Sequence, residues 1–394
     1  MLTPKGDLWQ KAAIPGGLWA ACEIILGSTL HNLHIPFSGT ILAAISVALM
    51  SGFVVLWPEK GIIWRAGLIA ALMKSISPSH LIFGPMIGIF TEAIFMELGL
   101  RFLGKNLSGL FLGGVLALNS ALFHKIANLI LLYGWDIMEI YINIYRWFAN
   151  ILGYMDADPC VALLFITLLY SFTGIMSAWL GYKAGMKATT ESLKENHIPI
   201  HQEEVFLSVS SNHTFRFSTY RLTLHILLLP AILIALSGKL SGITLLPSLA
   251  YSAYIAWKYK QFVKKLRKPL FWIQLILVFI MALAFGNGLL TEKESLLENL
   301  QTGLVMVTRA LVLVMTFSAI SVELRSPVVK ALLEKEGLKV LFLSIEKAFG
   351  ALPYFLSYMP RPNAILKSPV QSFALLLISA KQWELKEETK GENP

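Results

Sequence analysis

Apolar segments of roughly 20 residues, the length a helix needs to cross a hydrocarbon core about 30 Å thick, follow one another along nearly the whole chain. They lie near residues 12-33, 37-57, 61-77, 80-100, 108-133, 160-182, 221-237, 241-257, 270-289 and 300-322. Inside lipid every backbone N–H and C=O needs an internal partner, which leaves helices or a closed barrel. A barrel would show short alternating segments instead. The expected fold class is therefore all-α, a polytopic integral membrane protein of about ten transmembrane helices. A composition of 56% hydrophobic and 14% charged residues excludes a soluble chain of this length.

Two stretches do not fit the pattern of a central span. WDIMEIYINIYRWFANILGYM, residues 135-155, mixes aromatics, acids and an arginine, which suits a helix lying in the interface. The opening MLTPKGDLWQKAAIPGG lacks the basic, apolar and cleavage regions of a signal peptide, so the first span is read as retained.

Charge orients the spans. One set of alternate loops holds Lys5 and Lys11, Lys60 and Arg65, Arg101 and Lys105, then Lys183, Lys187 and Lys194. The opposite set holds HNLHIP, Lys74 with the SPSH turn, and a segment ending in Asp156 and Asp158. The basic set faces the cytoplasm by the positive-inside rule. WKYKQFVKKLRKP (257-269) and the net acidic LTEKESLLEN (290-299) continue the alternation, which places both termini inside. The net charge of +9 is thus spread over loops and does not form a nucleic-acid surface. Cys22 and Cys160 belong to no CxxC or His-rich ligand spacing and read as packing residues.

The longest polar interval, residues 185-219, divides the chain into two helical halves: a membrane domain at 1-190, a polar cytoplasmic linker at 191-219, and a second membrane domain at 220-394. The sequon Asn212-His213-Thr214 falls in that linker and is inert there. Near the end, residues 326-359 carry Val329, Leu332, Leu333, Leu341, Ile345, Phe349 and Leu352 as an amphipathic stripe. It reads as non-spanning helices, either resting on the membrane or forming a docking platform. SPVQSFALLLISA, farther on, suits a core or interfacial helix.

Catalytic signatures are missing. Gly104-Lys105 is followed by asparagine and Gly238-Lys239 by leucine, so neither forms a phosphate-cradling GxxxxGK[ST] loop. HExxH, GxSxG and GxGxxG are absent from any suitable setting. The chain is not expected to be an enzyme or to hold a cofactor or metal of its own; ATP, if it drives the process, acts through partner subunits.

Polar residues gather in the first half: Glu23, His31, Asn32 and His34 in the first span and its outer turn, Glu92 in the fourth, and Asn119, His124, Lys125 and Asn128 in the fifth. Intramembrane polar groups are costly and face a cavity or one another. Glu97 and Arg101 are four residues apart, as in a helix-surface ion pair. Glu92, near the middle of its span, has three readings: a buried pair with Lys125, a carboxylate that touches substrate, or a protonated bystander. His31 and His34 are either metal ligands or hydrogen-bonding caps. Trp19 and Phe37 beside polar tips would favour an organic ligand.

Three stretches resemble the membrane components of energy-coupling factor transporters, bacterial ATP-driven importers of vitamins and transition metals. AAIPGGLWAACEIILGSTL places Ala13, Gly17 and Ala21 on one face with Ala12, Gly16 and Ala20 beside them, similar to the small-residue face that substrate-binding S components turn toward their scaffold. RAGLIAALMKSISPSHLIFGPMIGIFTEAIFMELGLRFLG resembles the middle of several S components, whose fold has six helices. The tail, with Arg309 in a span and FGALPYF at 349-355, resembles the coupling helices of the T-component scaffold. Leu324-Arg325-Ser326 and Pro360-Arg361-Pro362 stand where the family carries Ala-Arg-Gly or Ala-Arg-Ser, which makes Arg325 and Arg361 the candidate ATPase-docking residues.

The resemblance implies a bacterial inner-membrane importer subunit whose first half binds a small micronutrient through Glu92, Glu23, Asn119, His124, Asn128 and His31. Its second half would couple to separate ABC-type ATPase subunits. An ion-coupled secondary transporter with Glu92, Glu23 and His124 as a proton relay is the alternative, and an integral-membrane enzyme using His31 and His34 is a third.

Overall fold

The computed structural model describes residues 4–32, 37–74, 83–153, 158–192, 218–237, 241–259, 269–285, 293–323, 339–360 and 362–392. Among them the chain is helical throughout: α1 (Pro4–Asn32), α2 (Ser38–Leu56), α3 (Ile62–Lys74), α4 (Phe83–Leu103), α5 (Leu107–Tyr133), α6 (Asp136–Ile151), α7 (Pro159–Ser192), α8 (Thr219–Ser237), α9 (Ser241–Lys258), α10 (Pro269–Phe285), α11 (Lys293–Glu323), α12 (Lys339–Ser357), α13 (Pro362–Lys367) and α14 (Pro369–Glu392). Among the described residues, seven helices are long and apolar enough to cross a membrane, namely α1, α2, α5, α7, α8, α11 and α12, and α10 is a shorter apolar helix. This is a membrane-embedded, multi-pass helical protein.

Local chemistry fixes the boundaries. Asn106 caps α5 by accepting the Gly109 N–H at 2.8 Å, and α5 stops at Gly134, whose φ of 90° is open to glycine alone among ordinary residues. Prolines inside α1, α8, α9 and α12 are tolerated because adjoining helices and side chains take up the freed backbone groups. Between α5 and α7 the backbones close at Gly114 and Gly174, where a Cβ on either would stand within 2.6 Å of the other's carbonyl oxygen.

The helices pack as two groups. The larger holds α1 to α5, α7, α12 and α14 around one extended core that includes Leu18, Trp19, Phe53, Met73, Ala93, Phe355 and Leu377. The smaller holds α6 and α8 to α11, with separate small cores such as Ile255, Tyr259 and Met315. The groups meet where α11 and α6 lie against α5. One face of α7 leaves Val161, Leu164, Phe165, Leu168 and Phe172 exposed, the side-chain surface that lipid covers. Helix α6, at 16 residues, buries Ile137, Ile140 and Ala149 while leaving Tyr141, Trp147 and Phe148 outward, as an interfacial helix does.

The tail differs from a pair of surface-lying helices. Residues 324–338, and with them Arg325, lie outside the described residues, as does Arg361. Helix α12 itself has the length and hydropathy of a span and buries Ser344, Ala348, Ala351, Leu352 and Phe355. The physical reason is on α1: its small residues let α12 approach so closely that a Cβ at Gly17 would lie 3.1 Å from the Ala348 carbonyl oxygen and 3.3 Å from the Phe355 ring. Helix α14 follows along α7 and α2, with Trp57 Nε1 donating to both carboxylate oxygens of Glu384 at 3.0 Å.

Candidate functional site

Two glutamates from different helices meet inside the larger group. Trp19 and Glu23 share one face of α1, four residues apart, and α2 brings Ser46 between them. Trp19 Nε1 donates to Ser46 Oγ at 2.9 Å, and Ser46 Oγ donates to Glu23 Oε1 at 3.3 Å. Glu92, from α4, comes to the same hydroxyl. Glu23 and Glu92 are 6% and 7% exposed, which removes both from the water that would otherwise carry their polar oxygens.

Among the described residues, only Glu23 of the pair has a cation within ion-pair distance. Lys74 in the last turn of α3, where a helix end favours positive charge, sits 3.6 Å from Glu23 Oε2 and donates to the Glu23 backbone carbonyl at 2.6 Å. Gly27, one turn beyond Glu23, leaves room for it: a Cβ there would lie 3.3 Å from Lys74 Nζ. Glu92 Oε2 is buried and has no hydrogen-bond partner among the described residues. Lys125 does not pair with it. That ammonium donates to Thr40 Oγ1 at 2.6 Å and Tyr170 OH at 3.2 Å, and lies 5.7 Å from the Tyr170 ring centre.

The remaining sequence candidates scatter. His124 is half-buried on α5 and faces Gly88 of α4, one turn from Glu92, where a Cβ would lie 3.7 Å from the imidazole Cδ2. Asn119 turns to α7 and donates to Ser171 Oγ at 2.8 Å. Asn128 is exposed. The His31 side chain, and all of His34, lie outside the described residues. Glu97 pairs with Arg101 at 3.7 Å and also accepts the Gly61 N–H at 2.8 Å, so it ties α4 to the start of α3. Ser46, Thr40 and Tyr170 were not singled out by sequence reasoning, because an isolated hydroxyl in an apolar helix carries no pattern that separates a site from packing.

The assembled cluster brings two buried carboxyls, Glu23 and Glu92, to one serine hydroxyl with Lys74 on one side, an arrangement suited to holding a donor-rich ligand or moving a proton. Among the described residues no three His, Cys, Asp or Glu side chains gather as a metal site would need. No protein-family model, curated protein or solved structure matches the chain.

Proposed function

We propose that this chain is the membrane subunit of an ATP-driven importer of a small organic micronutrient, with about ten spans, both termini cytoplasmic, and residence in a bacterial inner membrane. The first half binds substrate at Glu23 and Glu92, and the tail couples that half to separate ATPase subunits. One observation carries the reading: the Ala13, Gly17 and Ala21 face of α1 is buried, and Gly17 at its middle is seated on α12. A substrate-binding bundle that rides on a scaffold needs such a face, since small residues allow backbone approach without side chains that must be desolvated or reordered. Arg325 and Arg361 are the docking candidates for the ATPases, and for both to face them α12, which lies between, must return to the cytoplasmic side without crossing.

The test is purification of the tagged full chain from its native membrane in mild detergent, with uptake measured in vesicles. The expected result is co-purifying ATPase subunits and uptake that requires ATP. Gly17→Leu should reduce uptake strongly while Gly17→Ala has a small effect. Uptake driven by a proton gradient without ATP, and no ATPase in the complex, would overturn the proposal.

A second reading, an ion-coupled secondary transporter, is favoured by one specific arrangement: two buried carboxyls at one serine hydroxyl, with Glu92 Oε2 unpartnered. The same uptake experiment separates it from the first.

A further inference from the structure

The smaller helical group contains a second polar site, unconnected to the carboxyl pair and independent of how transport is energised. A cavity of about 330 Å³ opens where α5 turns into α6, α8 ends and α9 begins, with α11 as its wall. At its base is Arg309, 6% exposed. Its Nη1 donates to the Leu233 carbonyl at 3.0 Å and to Ser237 Oγ, while its Nε–H is buried with no partner. Gly134 lies against the guanidinium, where a Cβ would stand in ordinary contact, 3.5 Å from Nε. Asp136 and Glu298 supply carboxylates to the lining, and Trp135, 72% exposed, stands at the edge.

The charges select the ligand. The lining brings one buried guanidinium, Arg309, and one exposed carboxylate, Asp136, close enough to act on each other electrostatically. A zwitterion matches both, with its anionic group on the Arg309 guanidinium and its ammonium toward Asp136 and the Trp135 ring face. Position selects the class further. The cavity lies where the apolar helices α5 and α8 end, beside an α6 whose outward Tyr141 and Trp147 have the character of an interfacial belt.

We propose that this cavity binds a phosphate–amine zwitterion, the chemistry of a phosphatidylethanolamine headgroup, with Arg309 holding the phosphate and Asp136 the amine. The full chain would be purified into mixed micelles holding equal phosphatidylethanolamine and phosphatidylglycerol, and the retained lipid counted by mass spectrometry. The expected result is selective retention of the ethanolamine lipid. Arg309→Gln should lower it about tenfold, as for a lost charge-assisted hydrogen bond. Arg309 also holds α8, so Asp136→Asn is the control for misfolding: on an exposed turn, it should erase the preference for ethanolamine over glycerol while total bound phospholipid stays. Displacement by free phosphoethanolamine would support the same chemistry with a soluble occupant, and resistance to it would support the lipid. Equal retention of both lipids by the unmodified chain, or a preference untouched in both variants, would overturn the proposal.

Discussion

Ser46 has one hydroxyl hydrogen and two lone pairs to distribute. Trp19 takes one lone pair and Glu23 the hydrogen, so Glu92 at the same oxygen is met only when a proton or a ligand donor enters the trio. That shortage is why Glu92, rather than the lysine-paired Glu23, is the residue through which the cluster responds to what it binds. An amide would bring its own donors. Glu92→Gln is expected to fold as the unmodified chain does, with an unchanged or higher Tm, because it removes a carboxyl from a buried pair. Retention of the ligand that co-purifies with the chain should drop about tenfold, or ~1.4 kcal/mol. Equilibrium binding checks this, and an unchanged Kd would take Glu92 out of the site.

At the scale of elements, the ends of α8, α9 and α11 are joined by a chain of polar contacts around Glu323. Arg221 Nε lies 2.9 Å from Glu323 Oε1, Tyr259 OH donates to the same oxygen at 2.8 Å, and the Ser218 N–H donates to Oε2 at 2.8 Å. His225 completes it, 3.1 Å from Tyr259 OH and 2.7 Å from Tyr251 OH. Since Tyr259 gives its hydrogen to Glu323, a neutral His225 carries its own proton on Nε2 and accepts from Tyr251. Burial, and then the hydrogen bond to Glu323, push the Tyr259 hydroxyl above the ordinary phenol value. The neutral phenol is therefore favoured in the folded chain, and its contribution is complete below the unfolded value of about 10. It is lost as pH rises beyond that toward the higher folded value. Thermal unfolding at rising alkaline pH should show a decline that Tyr259→Phe makes shallower; identical slopes would exclude this tyrosine. Much of this level was legible in sequence and some was not. Helices α2, α5, α7 and α8 stand out because lipid demands long apolar runs, and Glu97 with Arg101 because their spacing places them on one face. The amphipathic stripe around Leu341, Ile345 and Leu352 states which face is buried but not against what, so its placement on α1 was hidden. Lys125 is likewise a cation without an address until folding sets it beside Thr40 and Tyr170, residues 85 and 45 positions away.

For the whole molecule, the consequence is that the chain's end is built into its beginning. Helices α12 and α14 close over α1, α2 and α7, while the smaller group reaches the larger through α5. A first half that tilts in the membrane to carry substrate must slide or separate along the α1–α12 seam, whereas a proton-coupled carrier working inside a fixed bundle need not. The seam provides its own probe. Cys22 Sγ, buried on α1, lies 4.0 Å from Met359 Sδ just beyond α12, so Met359→Cys sets a thiol across the seam from Cys22 for cross-linking, with the exposed Cys160 replaced by serine to prevent other cross-links. Oxidation should leave ligand retention intact, because Cys22 faces Met359 while Glu23, the next residue, turns to Ser46 of α2. Uptake should stop and return on reduction, as a hinge fixed in one state would require. Full-rate uptake by completely cross-linked protein would mean that α1 never leaves α12, and would move the transport step from the α1–α12 seam to the carboxyl pair beside it.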